Sequence, residues 1–134
     1  MLENGLTRET IAILERCIRE ARIEELCGFL LEGQSEQRFY RLQNHADLPY
    51  QFRTSRLEHE RLERYAQRRC LHLAAFVHSH PRGLELSDVD LPSYRVGRIP
   101  WVVVALTENA LIYRVHRPTA SSTTKTLLPW RCSI

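Results

Sequence analysis

The chain has 134 residues, of which 43% are hydrophobic and 26% are charged, and its formal net charge is +3 with a pI near 8.8. This length predicts a single domain over residues 1–134 with a substantial hydrophobic core. The mild, dispersed positive charge does not indicate a nucleic-acid-binding protein, and no apolar run approaches the length of a membrane span. Because Met1 to Arg22 also lacks the apolar stretch of a secretory signal, we expect a cytoplasmic protein.

The chain contains four cysteines, and none of them belongs to a Cys-x-x-Cys pair. They are Cys17, Cys27, Cys70 and Cys132. A domain of this size does not need disulfide bonds for its stability, so we expect reduced and mostly buried thiols.

The first part of the chain predicts one helix and two strands. Apolar residues at helical spacing predict a helix from Thr7 to Ala21, with Thr7 as its N-cap. The short apolar run Leu26 to Leu31 predicts a buried strand, and the alternation from Arg38 to Leu42 predicts a half-buried one. The segment from Asn44 to Arg53 is expected to be irregular.

A second helix is predicted from Ser55 to about Cys70. Ser55 and Glu58 have the spacing of a capping box at its start. Four side chains are predicted to face inward, namely Leu57, Leu62, Tyr65 and Ala66. A basic cluster on this helix is interpreted as a solvated face, with a docking patch for an acidic partner as the alternative. The cluster consists of Arg61, Arg64, Arg68 and Arg69.

The second half of the chain continues the alternation of strands and helices. The apolar run Leu73 to Val77 predicts a buried strand, and Ser87 can cap a short helix beginning at Asp88. Two more strands, Trp101 to Leu106 and Leu111 to Val115, are joined by a predicted hairpin turn, and a last edge strand is expected at 123–128. Interleaved helices and strands predict an α/β fold with a mixed β-sheet flanked by helices.

Two histidines one residue apart carry the clearest chemical signal. His78 and His80 lie at the end of an apolar strand, where residues i and i+2 point to the same side. Both imidazoles can therefore bind one metal ion, and Asp90 follows after a short loop. Two histidines, one aspartate and an open fourth position are the ligand set of a catalytic zinc site, so we predict one Zn²⁺ per chain. A lone histidine at a strand end is usually a structural or solvent-facing residue.

A zinc hydrolase also needs a general base and a donor that stabilises the oxyanion. Glu25, directly before the first predicted strand, is the candidate base. Glu24 is its rival, because adjacent residues of an extended chain point to opposite sides. Ser87 lies one helical turn before Asp90, so its hydroxyl is a candidate oxyanion donor as well as an N-cap.

The other residues with reactive side chains have simpler interpretations. His59 and His72 lie in or beside the second predicted helix and are interpreted as ordinary residues. His45 lies in the irregular segment, and proximity to a substrate groove is the alternative hypothesis for it. Cys27 lies in an apolar strand, where a thiol is inert, so no Cys–His nucleophile pair is indicated.

These residues resemble the JAMM metalloproteases, also called MPN domains, and in particular their bacterial branch. The family's pattern is a Glu before a strand that contains Gly, then His-x-His-Pro, then Ser-x-x-Asp. The matching segments are Glu25-Leu26-Cys27-Gly28, His78-Ser79-His80-Pro81 and Ser87-Asp88-Val89-Asp90. The segment from Asn44 to Phe52 is also similar to the bacterial branch, and the resemblance runs from about Arg22 to Leu106.

The resemblance implies a single MPN domain with a cytidine-deaminase-like fold. It implies that Glu25 is the base and that Ser87 helps to form the oxyanion site, while His78, His80 and Asp90 hold zinc. Family members hydrolyse peptide or isopeptide bonds, typically at the C-terminal tails of ubiquitin or ubiquitin-like proteins, including bacterial sulfur carriers. The expected partner is therefore a ubiquitin-like protein or its conjugate, with E1-like and E2-like proteins of the same pathway as further candidates.

The chain departs from the family's pattern in two places. The loop between Pro81 and Ser87 holds five residues, one fewer than usual, which leaves Asp88 as an alternative ligand. Pro92 falls inside the predicted short helix, which should therefore be short or kinked. Two other functions stay open: a non-catalytic MPN scaffold that binds partners, and a hydrolase of another substrate, such as a cysteine adduct on a sulfur carrier, a phage-tail component or a cell-wall peptide.

Overall fold

A five-stranded mixed β-sheet forms the centre of the structure. The structure is a computed structural model, and it describes residues 2–21, 25–46 and 53–118. The strands are β1 (Cys27–Glu32), β2 (Gln37–Leu42), β3 (His72–Ser79), β4 (Trp101–Leu106) and β5 (Leu111–His116). Their order in the sheet is β2-β1-β3-β4-β5. Strands β3 and β4 pair in parallel, and the other neighbouring strands pair antiparallel.

Helices cover both faces of this sheet. They are α1 (Arg8–Ala21), α2 (Arg56–Arg69) and α3 (Leu91–Gly97), and a short 3₁₀ turn (Leu2–Asn4) precedes them. Successive strand residues point to opposite faces, so the core has two parts. Leu14 of α1 belongs to one cluster, whereas Leu62 of α2 belongs to the other, against which Tyr94 of α3 packs. The predicted α/β fold with a mixed sheet flanked by helices is confirmed.

The first two helices begin where the sequence predicts. Thr7 Oγ1 accepts a hydrogen bond from Thr10 N (3.2 Å), and Ser55 Oγ accepts one from Leu57 N (3.1 Å). Both hydroxyls thus satisfy an amide of the first helical turn. No helix in the described ranges is long and apolar enough to cross a membrane.

The inward face of α2 differs from the prediction at its start. Leu57 was expected in the core, but 53% of its surface is exposed, because it lies in the first turn and off the buried stripe. That stripe consists of His59, Leu62 and Ala66, spaced three and four residues apart. The inward positions of Leu62 and Ala66 are confirmed, and Tyr65 is half-buried. The four arginines of the basic cluster are all exposed, as expected for a solvated face.

The helix that follows Ser87 begins later than predicted. Residues 88–90 form a turn, and α3 begins at Leu91 rather than at Asp88. The physical reason is a pair of reciprocal hydrogen bonds, from Ser87 N to Asp90 Oδ2 (3.0 Å) and from Asp90 N to Ser87 Oγ (3.1 Å). Pro92 falls in the first helical turn, where its missing N–H would have no helical partner. The helix is short, as expected.

The three cysteines in the described residues form no disulfide bond with one another and are not all buried. Cys27 is buried and Cys17 is partly buried, whereas Cys70 is exposed, contrary to the expectation. Cys70 ends α2 with a left-handed backbone (φ 56°), which directs it away from the core. Three other predictions lie outside the described residues: Glu24 as the rival base, the burial of Cys132, and the edge strand at 123–128.

Candidate active site

The histidine pair lies at the end of the central strand β3. In the sheet register His78 pairs with Cys27 of β1 and with Val103 of β4, and its side chain is fully buried. The imidazole stacks on the ring of Phe76 (centroids 5.8 Å apart) and meets Trp101 edge-on (5.1 Å). These aromatic contacts hold the ring of His78 toward His80, whose centroid is 4.7 Å away.

Glu25 reaches the same pair of imidazoles from the start of β1. Its side chain is buried, with Oε1 3.6 Å from His78 Nδ1 and 4.0 Å from His80 Nε2. Its other oxygen, Oε2, is buried and meets no hydrogen-bond partner among the described residues. A buried carboxylate oxygen without a partner is costly, so this atom indicates a place for a cation or a proton donor.

Asp90 contacts both imidazoles from the turn that precedes α3. Its Oδ2 lies 3.0 Å from His80 Nε2 and 3.6 Å from His78 Nε2, and it accepts the amide of Ser87. Burial alone would raise the pKa of Asp90, but the hydrogen bond with His80, the charge of His78 and the bonds from Ser87 together lower it. Asp90 is therefore a carboxylate at neutral pH.

Ser87 is tied to Asp90 but is exposed to solvent. Its Oγ accepts the amide of Asp90, so the hydroxyl keeps its own proton for donation to another group. Asp88, the alternative ligand suggested by the short loop, is exposed, whereas Asp90 is buried against the two histidines. The turn thus brings Asp90, and not Asp88, to the histidines.

Three of these side chains, Glu25, His78 and His80, form a group that could hold a metal ion. Ligand atoms of Glu25, His78 and His80 all lie within 4.8 Å of one another. Two tetrahedral zinc ligands at bond lengths of about 2.1 Å are about 3.4 Å apart, and Asp90 Oδ2 lies 3.0 and 3.6 Å from the two Nε2 atoms. The carboxylate of Asp90 is therefore also within reach of an ion held by the two histidines. A divalent ion would also balance two buried carboxylates.

Several contacts around the site were not expected from the sequence. Ser79, between the two histidines, points away from them and accepts the amide of Leu26 at its Oγ (2.8 Å). Strand alternation could have revealed this direction, but not the partner. The side chain of Asn44 bonds to the main chain of Glu25 (2.9 Å) over nineteen residues of sequence, for which the sequence offers no signal.

The short loop before Ser87 is held by the edge strand β5. His116 Nε2 lies 2.6 Å from the carbonyl oxygen of Leu84, and Arg114 forms an ion pair with Glu85. Loop length alone does not determine a loop's position, but anchors of this kind do. A loop one residue shorter than usual is therefore compatible with Asp90 at the histidines.

A cleft of about 270 Å³ opens beside Glu25. Besides Glu25 it is lined by Leu26, Arg41, Leu42, Gln43 and Asn44. It lies at the end of β2, where Leu42 pairs with Cys27, and Cys27 in turn pairs with His78. Of the clustered side chains only Glu25 lines this cleft, so the cleft meets the site at Glu25.

The remaining histidines lie outside the cluster. His72 is exposed at the start of β3, and His59 is buried beneath α2 with its Nε2 2.8 Å from Thr54 Oγ1. His45 is exposed and lies 3.7 Å from Glu58, next to the cleft-lining Asn44. Its proximity to a substrate stays a prediction.

Comparison with known proteins agrees with this geometry. The family model described as "Prokaryotic homologs of the JAB domain" matches residues 7–117. The chain belongs to this family. The match includes the three described α-helices, the five described strands and the four clustered side chains, which confirms the resemblance to the bacterial JAMM/MPN proteins. No curated protein matches the chain.

Two solved structures have a similar fold. A solution structure of a protein from Desulfitobacterium hafniense has a TM-score of 0.70 at 18% identity, covering 81% of this chain and 80% of that one. Another solution structure, of a protein from Salinibacter ruber, has a TM-score of 0.54 at 22% identity, covering 89% and 94%. At these identities the likeness concerns the fold of the JAB-family domain and not its chemistry.

Proposed function

We propose that this JAB-family protein is a zinc-dependent peptidase that cleaves a peptide or isopeptide bond at the C-terminal tail of a ubiquitin-like protein. The observation that supports it most is the convergence of Glu25, His78, His80 and Asp90 in one buried cluster. His78, His80 and Asp90 would hold the zinc. When bound, zinc would polarise the scissile carbonyl and lower the pKa of a water toward neutral.

Proton transfer, stabilisation of the oxyanion and exclusion of water are assigned to side chains of the protein. Glu25 accepts a proton from the attacking water and later passes it to the leaving amine. Ser87 donates a hydrogen bond from its hydroxyl to the oxygen that becomes negative in the transition state, and its Oγ accepts the amide of Asp90. The aromatic rings of Phe76 and Trp101 hold His78 in place and exclude water from its buried side.

An extended substrate tail is expected to lie along the outer strand β2. This strand is an edge of the described sheet, so its outer main-chain groups can pair with an added strand. The end of β2 leads into the cleft beside Glu25, and a volume of about 270 Å³ suits a narrow tail of small residues. Precursor processing and deconjugation both present such a tail.

The test is cleavage of ubiquitin-like proteins with C-terminal extensions or lysine-linked conjugates by the zinc-loaded protein. Glu25→Gln and His80→Ala should each lower kcat/KM by about 100-fold or more, because each removes a group that acts in the transition state. The matched controls are Glu108→Gln in the exposed hairpin turn and His72→Ala at the exposed start of β3, which should retain activity. Full activity in Glu25→Gln or His80→Ala would refute the assigned roles.

Metal content separates this proposal from a partner-binding scaffold. The purified protein should contain about one zinc per chain, and His80→Ala should contain much less. A protein that binds little zinc and cleaves none of these substrates would instead favour the scaffold function.

A further inference from the structure

Glu25 lies just before the first strand of the sheet. Strand β1 begins two residues later, at Cys27. The carboxylate itself is weakly held, because Oε2 has no hydrogen-bond partner among the described residues and Oε1 is 3.6 Å from His78. Its direction therefore depends on the main chain that carries it.

That main chain is held from both neighbouring strands. On the side of β3, Leu26 N donates to Ser79 Oγ (2.8 Å), and Ser79 N donates to the carbonyl of Leu26 (2.9 Å). On the side of β2, the carbonyl of Glu25 accepts a hydrogen bond from Asn44 Nδ2 (2.9 Å). The bond from Asn44 is the one that acts on Glu25 itself.

The amide of Asn44 is fixed in its own turn. Its Oδ1 accepts the amides of Ala46 (2.9 Å) and Arg53 (3.0 Å), so its Nδ2 must face the carbonyl of Glu25. The preceding residue is also anchored, since Gln43 N donates to the carboxylate of Glu58 at the start of α2 (3.2 Å). The side chain of Asn44, just after β2, thus links the main chain of Arg53 to the main chain of Glu25.

We propose that Asn44 is a positioning residue that sets the place of the Glu25 carboxylate relative to His78. This inference rests on the proposed peptidase function, in which Glu25 is the base. Asn44 acts on the main-chain carbonyl of Glu25, so its effect should fall on proton transfer and not on metal binding. A displacement of the base of about 1 Å can lower a rate by roughly 100-fold.

The sharpest variant is Asn44→Asp, which has nearly the same shape. It keeps an acceptor for Ala46 and Arg53 but places an oxygen against the carbonyl of Glu25, where the donor was. Asn109→Asp makes the same chemical change in the exposed hairpin turn and is the matched control. Asn44→Ser is a second variant, whose hydroxyl can still serve the local turn while the donor to Glu25 is lost.

Three measurements separate positioning from general structural damage. We expect Asn44→Asp to lower kcat by roughly 10- to 100-fold, with KM and the zinc Kd within about twofold of the wild type. In the metal-loaded protein with ¹³C-labelled glutamate, the carboxylate resonance of Glu25 should shift in Asn44→Asp and Asn44→Ser but not in Asn109→Asp. A midpoint of thermal unfolding near the wild-type value confirms that each variant is folded.

Two outcomes would overturn the role of Asn44. One is an unchanged kcat and an unchanged Glu25 resonance in a folded Asn44 variant. The other is a parallel loss of zinc binding, kcat and folding in both variants, which would make Asn44 a purely structural residue. If the wild type cleaves no ubiquitin-like substrate, the peptidase proposal fails, but the Glu25 resonance still decides whether Asn44 positions that carboxylate.

Discussion

Replacing the buried His59 by glutamine should remove a pH dependence from the free energy of unfolding. His59 is 3% exposed, its Nε2 lies 2.8 Å from Thr54 Oγ1, and its ring meets Phe29 edge-on at 5.6 Å. Burial lowers the pKa of His59 from 6.5 to about 4, because the charged imidazolium loses its hydration inside the protein. In the unfolded chain the pKa returns to its ordinary value.

The size of the effect follows from these two pKa values. Between pH 6.5 and pH 4 the unfolded state binds more protons at this residue than the folded state, so the free energy of unfolding falls as the pH falls. From pH 7.5 to pH 5.0 the loss is about 2 kcal/mol, and it levels off at about 3 kcal/mol once the pH is below the folded pKa. Above about pH 8 this residue contributes almost no pH dependence.

The assay is urea unfolding followed by tryptophan fluorescence at pH 7.5 and pH 5.0, with a chelator present to remove metal. His59→Gln keeps an amide for Thr54 but cannot take up the proton, so it should lose about 2 kcal/mol less than the wild type between the two pH values. His72→Gln, at an exposed position, serves as the control and should behave like the wild type. An equal loss in His59→Gln and the wild type would refute this account of His59.

Three further predictions concern stability and metal binding. Leu62→Ala should lower the free energy of unfolding by about 2–5 kcal/mol, because Leu62 is fully buried, whereas Leu57→Ala on the same helix should change it by no more than about 0.5 kcal/mol. Similar losses for the two variants in urea titrations would contradict the assigned face of α2. His116→Ala should lower the free energy of unfolding by about 1 kcal/mol, because it removes the hydrogen bond to the carbonyl of Leu84. His116→Gln can still donate and should recover part of this loss, and equal losses in the two variants would exclude that bond as the cause. Zinc at about 100 times its Kd should raise the free energy of unfolding, measured by calorimetry, by about 2.7 kcal/mol. The His80→Ala variant should show no such rise, and a rise of the same size in that variant would mean that the ion binds elsewhere.

The strands and the metal-site candidates were predictable because they depend on local periodicity. A run of apolar residues ending in His78 and His80 is sufficient to predict a buried strand with both imidazoles on one side, and the fold confirms that strand. The first two N-caps were predictable for the same reason, since Thr7 and Ser55 act on amides only a few residues away.

The errors arose where tertiary contacts override local pattern. Leu57 fits an apolar stripe as well as its neighbours do, and only the contacts of His59 with Thr54 and Phe29 show that the helix is rotated to bury a histidine instead. Helix α3 begins at Leu91 because the reciprocal hydrogen bonds of Ser87 and Asp90 hold residues 88–90 in a turn.

Long-range contacts were beyond prediction for a different reason. The bond from Asn44 to Glu25 spans nineteen residues, and the bond from His116 to Leu84 spans thirty-two. Hydrogen bonds of this kind depend on how β2 and β5 flank the central strands, which no local pattern encodes. These contacts nevertheless hold the candidate base and the loop before Ser87.

Two residues of the candidate site, His78 and Asp90, lie on elements that should open at very different rates. His78 belongs to a central strand that is paired on both sides, whereas Asp90 is carried by a surface turn ahead of a seven-residue helix. Such a turn can unfold transiently while the sheet stays intact. Amide hydrogens near Asp90 should therefore exchange with solvent long before those of Val77 and His78, and an ion could leave or enter the protein through this one brief opening.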